Sequence, residues 1–128
     1  VAEDILSKLK PTLNIPDLLE VVYFELGYAV SSLLSYRSED WTTASITFHK
    51  SVLFGARVYL YAKYGEFPGT YNEIANNFVM HSEGIEERYV NLVRSAIAVR
   101  RGDQIDKLAL YTNISFLNKL VLPTVLGS

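Results

Sequence analysis

The chain has 128 residues, 49% of them hydrophobic and 20% charged, with 12 basic and 14 acidic side chains, a net charge of −2 and no cysteine. That much apolar material supports one packed core rather than disorder, and near-neutrality leaves no global field for holding nucleic acid or an anionic membrane. The lack of cysteine excludes a disulfide framework, thiolate chemistry and the common zinc-knuckle ligands. No apolar run of membrane-spanning length is free of charge or proline, and the start Val1-Ala2-Glu3-Asp4 is acidic where a secretory signal is basic. The expectation is a soluble, cytoplasmic protein with no membrane partner.

In chain order, residues 1–15 read as a short helical flap with Ile5, Leu6 and Leu9 inward, cut off by Pro11 and Pro16. Asn14 to Asp17 opens the first long helix, since proline is tolerated in a first turn and acids suit the positive end of the helix dipole. That helix is expected over 16–36. Its broad face carries Leu18, Leu19, Val22, Leu26, Ala29, Val30, Leu33 and Leu34, and a separate apolar sector carries Val21, Phe24 and Tyr28.

The next helix, 40–64, contains no proline and spans roughly 36 Å at the rise of an α-helix. Asp40 is its expected N-cap and Gly65 its left-handed stop. Two stripes run along it, Trp41, Ala44, Phe48, Val52, Gly55, Tyr59 and Ala62 on one and Ile46, His49, Leu53, Ala56 and Leu60 on the other. Paired stripes predict burial against more than one neighbour, the situation of a central bundle helix.

Gly65 to Gly69 is turn chemistry around Pro68, and Thr70-x-x-Glu73 has the form of a capping box for a helix over 70–81. Ser82 followed by Glu83, Glu86 and Glu87 predicts a helix over 83–101, ending on Arg100 and Arg101 before Gly102. Asp103 is expected to cap the last helix, 103–122, whose inner face is Ile105, Leu108, Ala109, Thr112, Phe116 and Leu120. The whole reads as a single all-α domain, a bundle of about five helices with the bundle itself over 16–122.

Catalytic signatures are missing from the sequence. His49 and His81 lie on different elements with no HExxH-type spacing, no Gly-rich loop is followed by Gly-Lys-Ser/Thr, and no Gly-x-Ser-x-Gly elbow occurs. No catalytic residue, metal ligand or cofactor is assigned. His49 falls on the buried side of its helix, where a neutral histidine hydrogen-bonded to a neighbour is the ordinary outcome. With Arg57 and Tyr59 it marks a candidate cleft for a small ligand. Arg94, Arg100 and Arg101 are the candidate contacts for phosphate or nucleic acid. The sector Val21, Phe24 and Tyr28, with Phe54, Val58 and Tyr61 on the outward side of the central helix, is expected to form a homodimer interface.

The long apolar helix, then Asp40-Trp41-Thr42-Thr43-Ala44 leading into Phe48-His49-Lys50-Ser51-Val52-Leu53, then a Gly-bearing turn and further helices, resembles the HEPN superfamily. It is similar to the archaeal PaREP-type proteins of that superfamily over about residues 16 to 122. The resemblance implies a helical bundle that commonly pairs as a dimer, with nucleotide binding, toxin–antitoxin roles or RNA cleavage among relatives. Cleaving relatives carry an Arg followed within a few residues by a His, whereas after Arg100 and Arg101 this chain has Ile105, Asp106, Lys107 and Leu108. Without that imidazole the expectation is a non-catalytic, HEPN-like homodimeric binding or scaffold protein for a nucleotide, RNA or protein partner. A small-ligand binder using the cleft near His49 and Arg57, and an unconventional ribonuclease using Arg100, Arg101 and Asp106, are the alternatives.

Overall fold

The computed structural model describes residues 12–128, so the expected flap lies outside the described residues as far as residue 11. The helices are α1 (Ile15–Arg37), α2 (Trp41–Tyr64), α3 (Tyr71–Met80), α4 (Glu87–Arg100) and α5 (Lys107–Phe116). The last runs on through a π-helical segment, Leu117–Val121, into α6 (Leu122–Leu126), so the path is one of five helices with no strand among the described residues.

Local chemistry sets the boundaries. Asn14 and Asp17 form a reciprocal capping box, with Asp17 N donating to Asn14 Oδ1 at 2.9 Å and Asn14 N donating to Asp17 Oδ2 at 3.1 Å. Asp40 accepts from Thr43 N and Thr70 from Glu73 N, and Gly65 ends α2 at φ 70°. Two expected starts move downstream. Residues 82–86 form a turn around Gly84 (φ 82°), in which Ile85 N bonds Ser82 O, so α4 begins at Glu87 rather than 83. Gly102 at φ 115° breaks the chain again, and Asp106, not Asp103, accepts from Leu108 N to cap α5.

Helix α2 is the central element and touches every other helix. Both of its stripes are buried from Ala44 to Leu60, apart from the exposed Trp41 and Ile46 at its first turns. Gly55 admits the π segment: a Cβ there would stand 2.6 Å from Leu117 Cδ2. The expected outward sector of α2 is corrected at Val58, which is 4% exposed and belongs to the core, so it forms no part of a subunit interface.

The inward face of α1 is narrower than expected and partly polar, comprising Leu18, Val22, Glu25, Ala29 and Ser32. Val30 and Leu34, expected inside, are exposed. Ser32 is inside because it is bonded, its Oγ donating to Ala44 O at 2.8 Å; Ser51 Oγ donates to the main-chain O of Glu25 at 2.8 Å and Asn113 Nδ2 to Ser51 Oγ at 2.9 Å, bonds that leave the Glu25 carboxyl itself unserved. These bridges pin α1 and α5 to α2 at fixed register.

By length and composition α1 is apolar enough to cross a membrane, with a mean hydropathy of 1.3 over its best window, of which 28% is buried in the bundle. Between Val21 and Tyr36 its single Asp, Glu, Lys or Arg is Glu25, which lies inside. Glu25, the charge that interrupts this run, is therefore not on the helix surface.

Beyond Phe116 the chain stays helical past Pro123, further than the expected end at 122. Asn113, Leu117, Val121 and Val125 are all buried at a constant spacing of four. In an α-helix each such step drifts about 40° around the axis. The underwound π segment turns less per residue and holds the stripe against the core. Pro123, which has no N–H and crowds the carbonyl one turn back, favours the same widening.

Candidate functional site

The cleft between α2, the start of α3 and the end of α4 encloses about 450 Å³ and is lined by Phe54, Arg57, Gly69, Thr70, Tyr71, Ile74 and Arg100. Helical spacing puts Phe54 and Arg57 one turn apart on α2, and the Gly65–Thr70 turn folds Phe67 back over them. The Arg57 guanidinium carbon lies 4.1 Å from the centre of the Phe67 ring and 4.9 Å from that of Phe54. Across the cleft the guanidinium of Arg100 lies 4.7 Å over Tyr71. Stacking of this kind holds a guanidinium flat and leaves its edge donors free.

Neither arginine has an ion pair or hydrogen bond among the described residues. Arg57 is half-buried, and that burial pulls its pKa below the ordinary arginine value, against the attraction of Tyr71 and Glu25. Glu25 is the acid whose field reaches it, but Glu25 is 3% exposed and burial raises its pKa from 4.5 to about 8, in spite of Arg57. At neutral pH its carboxyl is mostly protonated, so Arg57 keeps a positive charge without a counter-charge. Glu25 Oε2 and Asn113 Oδ1 are buried without a hydrogen-bond partner among the described residues.

His49 borders a second, smaller groove of about 310 Å³ that continues past Arg100 toward Trp41 and Asp103. Its ring meets Tyr71 edge-on at 5.6 Å, and its Nδ1 is 2.9 Å from Ser45 O, a contact that calls for a proton on that nitrogen. Burial holds its pKa below the ordinary histidine value, and Arg100 and Lys50 push the same way against the Ser45 bond. It is a neutral, packed histidine beside the cleft.

No protein-family model, curated protein or solved structure matches the chain.

Of the residues singled out in the sequence, Arg57, Phe54 and Arg100 line the cleft, and His49 supports it through Tyr71. Tyr59 is not brought there. It is 1% exposed on another side of α2, packed on Phe78, with its hydroxyl accepting from Lys63 Nζ at 3.2 Å. Arg94 and Arg101 separate from Arg100 and line a shallow groove of about 830 Å³ between α3 and α4, where Arg101 reaches Asn72 Oδ1 at 3.4 Å. Among the described residues no three His, Asp or Glu side chains gather as a metal site. Phe67, Tyr71 and Glu25 are not among the sequence candidates, and Thr70 enters there only as a helix cap. The signal for Glu25 was its isolation as the lone charge within an apolar run, whereas the aromatic pair became visible only once the Pro68 turn was folded.

Proposed function

We propose that this chain is a binding protein that takes a small anion, a phosphate- or carboxylate-bearing molecule, in the Arg57–Arg100 cleft and performs no catalysis of its own. One observation carries the reading: a half-buried guanidinium, clamped between Phe54 and Phe67, with its hydrogen-bond donors unused among the described residues. Desolvating an arginine is costly unless an acceptor meets it, and a bidentate anion supplies two acceptors in the plane of the fork. Arg100 adds a second charge on the opposite wall, and at the start of α3 Thr70 Oγ1 takes the Glu73 N–H while the helix has no acceptor of its own for the N–H groups of Tyr71 and Asn72. The HEPN resemblance, carried by helix pattern alone, supports a bundle that binds rather than cleaves, because the Arg-to-His pair of the cleaving relatives is missing.

Calorimetric titration with inorganic phosphate, pyrophosphate and adenosine monophosphate tests the reading. Saturable binding of at least one, weakened tenfold or more by Arg57→Gln and by Arg100→Gln and unchanged by Arg94→Gln, is the expected result. Failure of all three anions at millimolar concentration, or equal binding by the Arg57→Gln protein, overturns it.

A further inference from the structure

The outward face of α1 has a pattern of its own. Glu20, Tyr23, Gly27, Val30, Leu34 and Arg37 are all exposed, and they follow one another at alternating steps of three and four. That is the spacing of a coiled-coil seam, and here it points away from the bundle. Tyr23 is 60% exposed, Val30 49% and Leu34 57%, and Phe24 stands beside the seam at 62%. Gly27 sits mid-helix where a Cβ would meet nothing within 4 Å among the described residues. A glycine in an open helical position weakens the helix by roughly 0.5–1 kcal/mol relative to alanine, and nothing within the bundle requires it.

The seam is also palindromic in character. Reversed about an axis between Tyr28 and Ala29, it maps Glu20 onto Arg37, Tyr23 onto Leu34 and Gly27 onto Val30. We propose that α1 is the interface of a two-fold symmetric dimer, in which the α1 helices of two copies pair antiparallel along this seam. Each end then sets Glu20 of one copy against Arg37 of the other, each flank sets a tyrosine against a leucine, and the centre fits Val30 into the space left by Gly27. An isologous contact needs a surface complementary to itself, and this register is so in size, polarity and charge. Opposite charges at both ends and none between them suit a second copy of the chain. A uniformly charged partner or an anionic lipid surface finds no matching pattern. The apolar side chains offer roughly 500 Å² per copy, about 1,000 Å² for the pair, which is the lower bound for a contact that persists in solution. The surface is distinct from the Arg57 cleft, so it stands or falls independently of anion binding.

The absence of native cysteine makes the register directly testable. Tyr23→Cys and Leu34→Cys proteins, oxidised separately and as an equal mixture, are expected to form a disulfide-linked dimer in the mixture and little in either protein alone. Sedimentation of the unmodified protein at tens of micromolar is expected to give twice 14.4 kDa, falling to 14.4 kDa for Val30→Glu with its helical circular dichroism intact. Self-linking of each cysteine variant means parallel pairing and overturns the register. A monomer overturns the dimer: if it pairs after residues 1–11 are removed, the chain covers its own face, and if it floats with phosphatidylcholine vesicles, lipid covers it. A Val30→Glu protein that remains a dimer places the interface elsewhere and overturns the proposal as well.

Discussion

Gly55 on α2 and Leu117 on the π segment touch so closely that a Cβ on residue 55 would stand 2.6 Å from Leu117 Cδ2. Both residues are buried, so the leucine has little room to retreat. Gly55→Ala is expected to lower stability by about 1–3 kcal/mol, because overpacking outweighs the gain in helix propensity. In a Leu117→Ala background the same change should cost less than it does alone, since the clashing methyl is gone. Urea unfolding of the four proteins measures that coupling, and strict additivity would show that the contact is not the cause.

Glu25 makes stability depend on pH in a direction unusual for a carboxylate. Its folded pKa, about 8, lies above the 4.5 of an unperturbed group. Between those values the folded chain holds a proton that the unfolded chain has released, so this residue's contribution falls as pH rises through the window, by up to about 1.4 kcal/mol per unit. Below pH 4.5 both states are protonated and the dependence vanishes. Glu25→Gln, which is neutral throughout, should unfold at higher urea than the parent at pH 8 and differ much less at pH 5. A parent that gains stability over this range relative to Glu25→Gln contradicts the assignment.

The bond from Asn113 Nδ2 to Ser51 Oγ joins helices 62 residues apart in sequence. Ser51→Ala leaves that amide buried without an acceptor, at a cost of about 1–3 kcal/mol. Asn113→Leu with Ser51→Ala removes both partners, and should recover part of the loss in thermal denaturation.

Two substitutions separate the core from the surface. Val58→Glu places a carboxylate where the native side chain is 4% exposed, and should abolish the cooperative unfolding transition. Phe24→Glu, at a position 62% exposed, should leave the folded subunit within about 1 kcal/mol of the parent. Equal damage from both would mean that α1 is covered in the isolated subunit.

The helices were legible in the sequence because caps and stops are local: Asn14, Asp40, Thr70 and Gly65 each act within a turn or two of their own backbone. The starts of α4 and α5 were not, because acids at 83 and 103 satisfy the rule for a helix beginning while Gly84 and Gly102 bend the chain first. Which face of α1 turns inward was also hidden. Counting apolar residues put Val30 and Leu34 inside, but Ser32 holds an inner position through the Ala44 carbonyl on α2, and Ser51 bonds the main-chain carbonyl of the inward Glu25; hydrogen bonds across two helices leave no periodic trace. At the cleft, Arg57 and Arg100 could be chosen as charges near an apolar face. Their separation from Arg94 and Arg101 depends on where α3 docks.

The π segment gives the last helix a spare residue. Asn113, Leu117, Val121 and Val125 reach the core only because the helix is locally unwound, and removing one exposed residue, Lys119, would turn their spacing into four, three and four. That is the ordinary rhythm of an α-helix. With Pro123 replaced by alanine to restore the missing donor, the shortened chain is expected to fold as a plain α-helix with the same contacts. With that replacement, this helix should therefore tolerate a one-residue deletion at 119 that no position within α2, fixed on several sides at once, would survive.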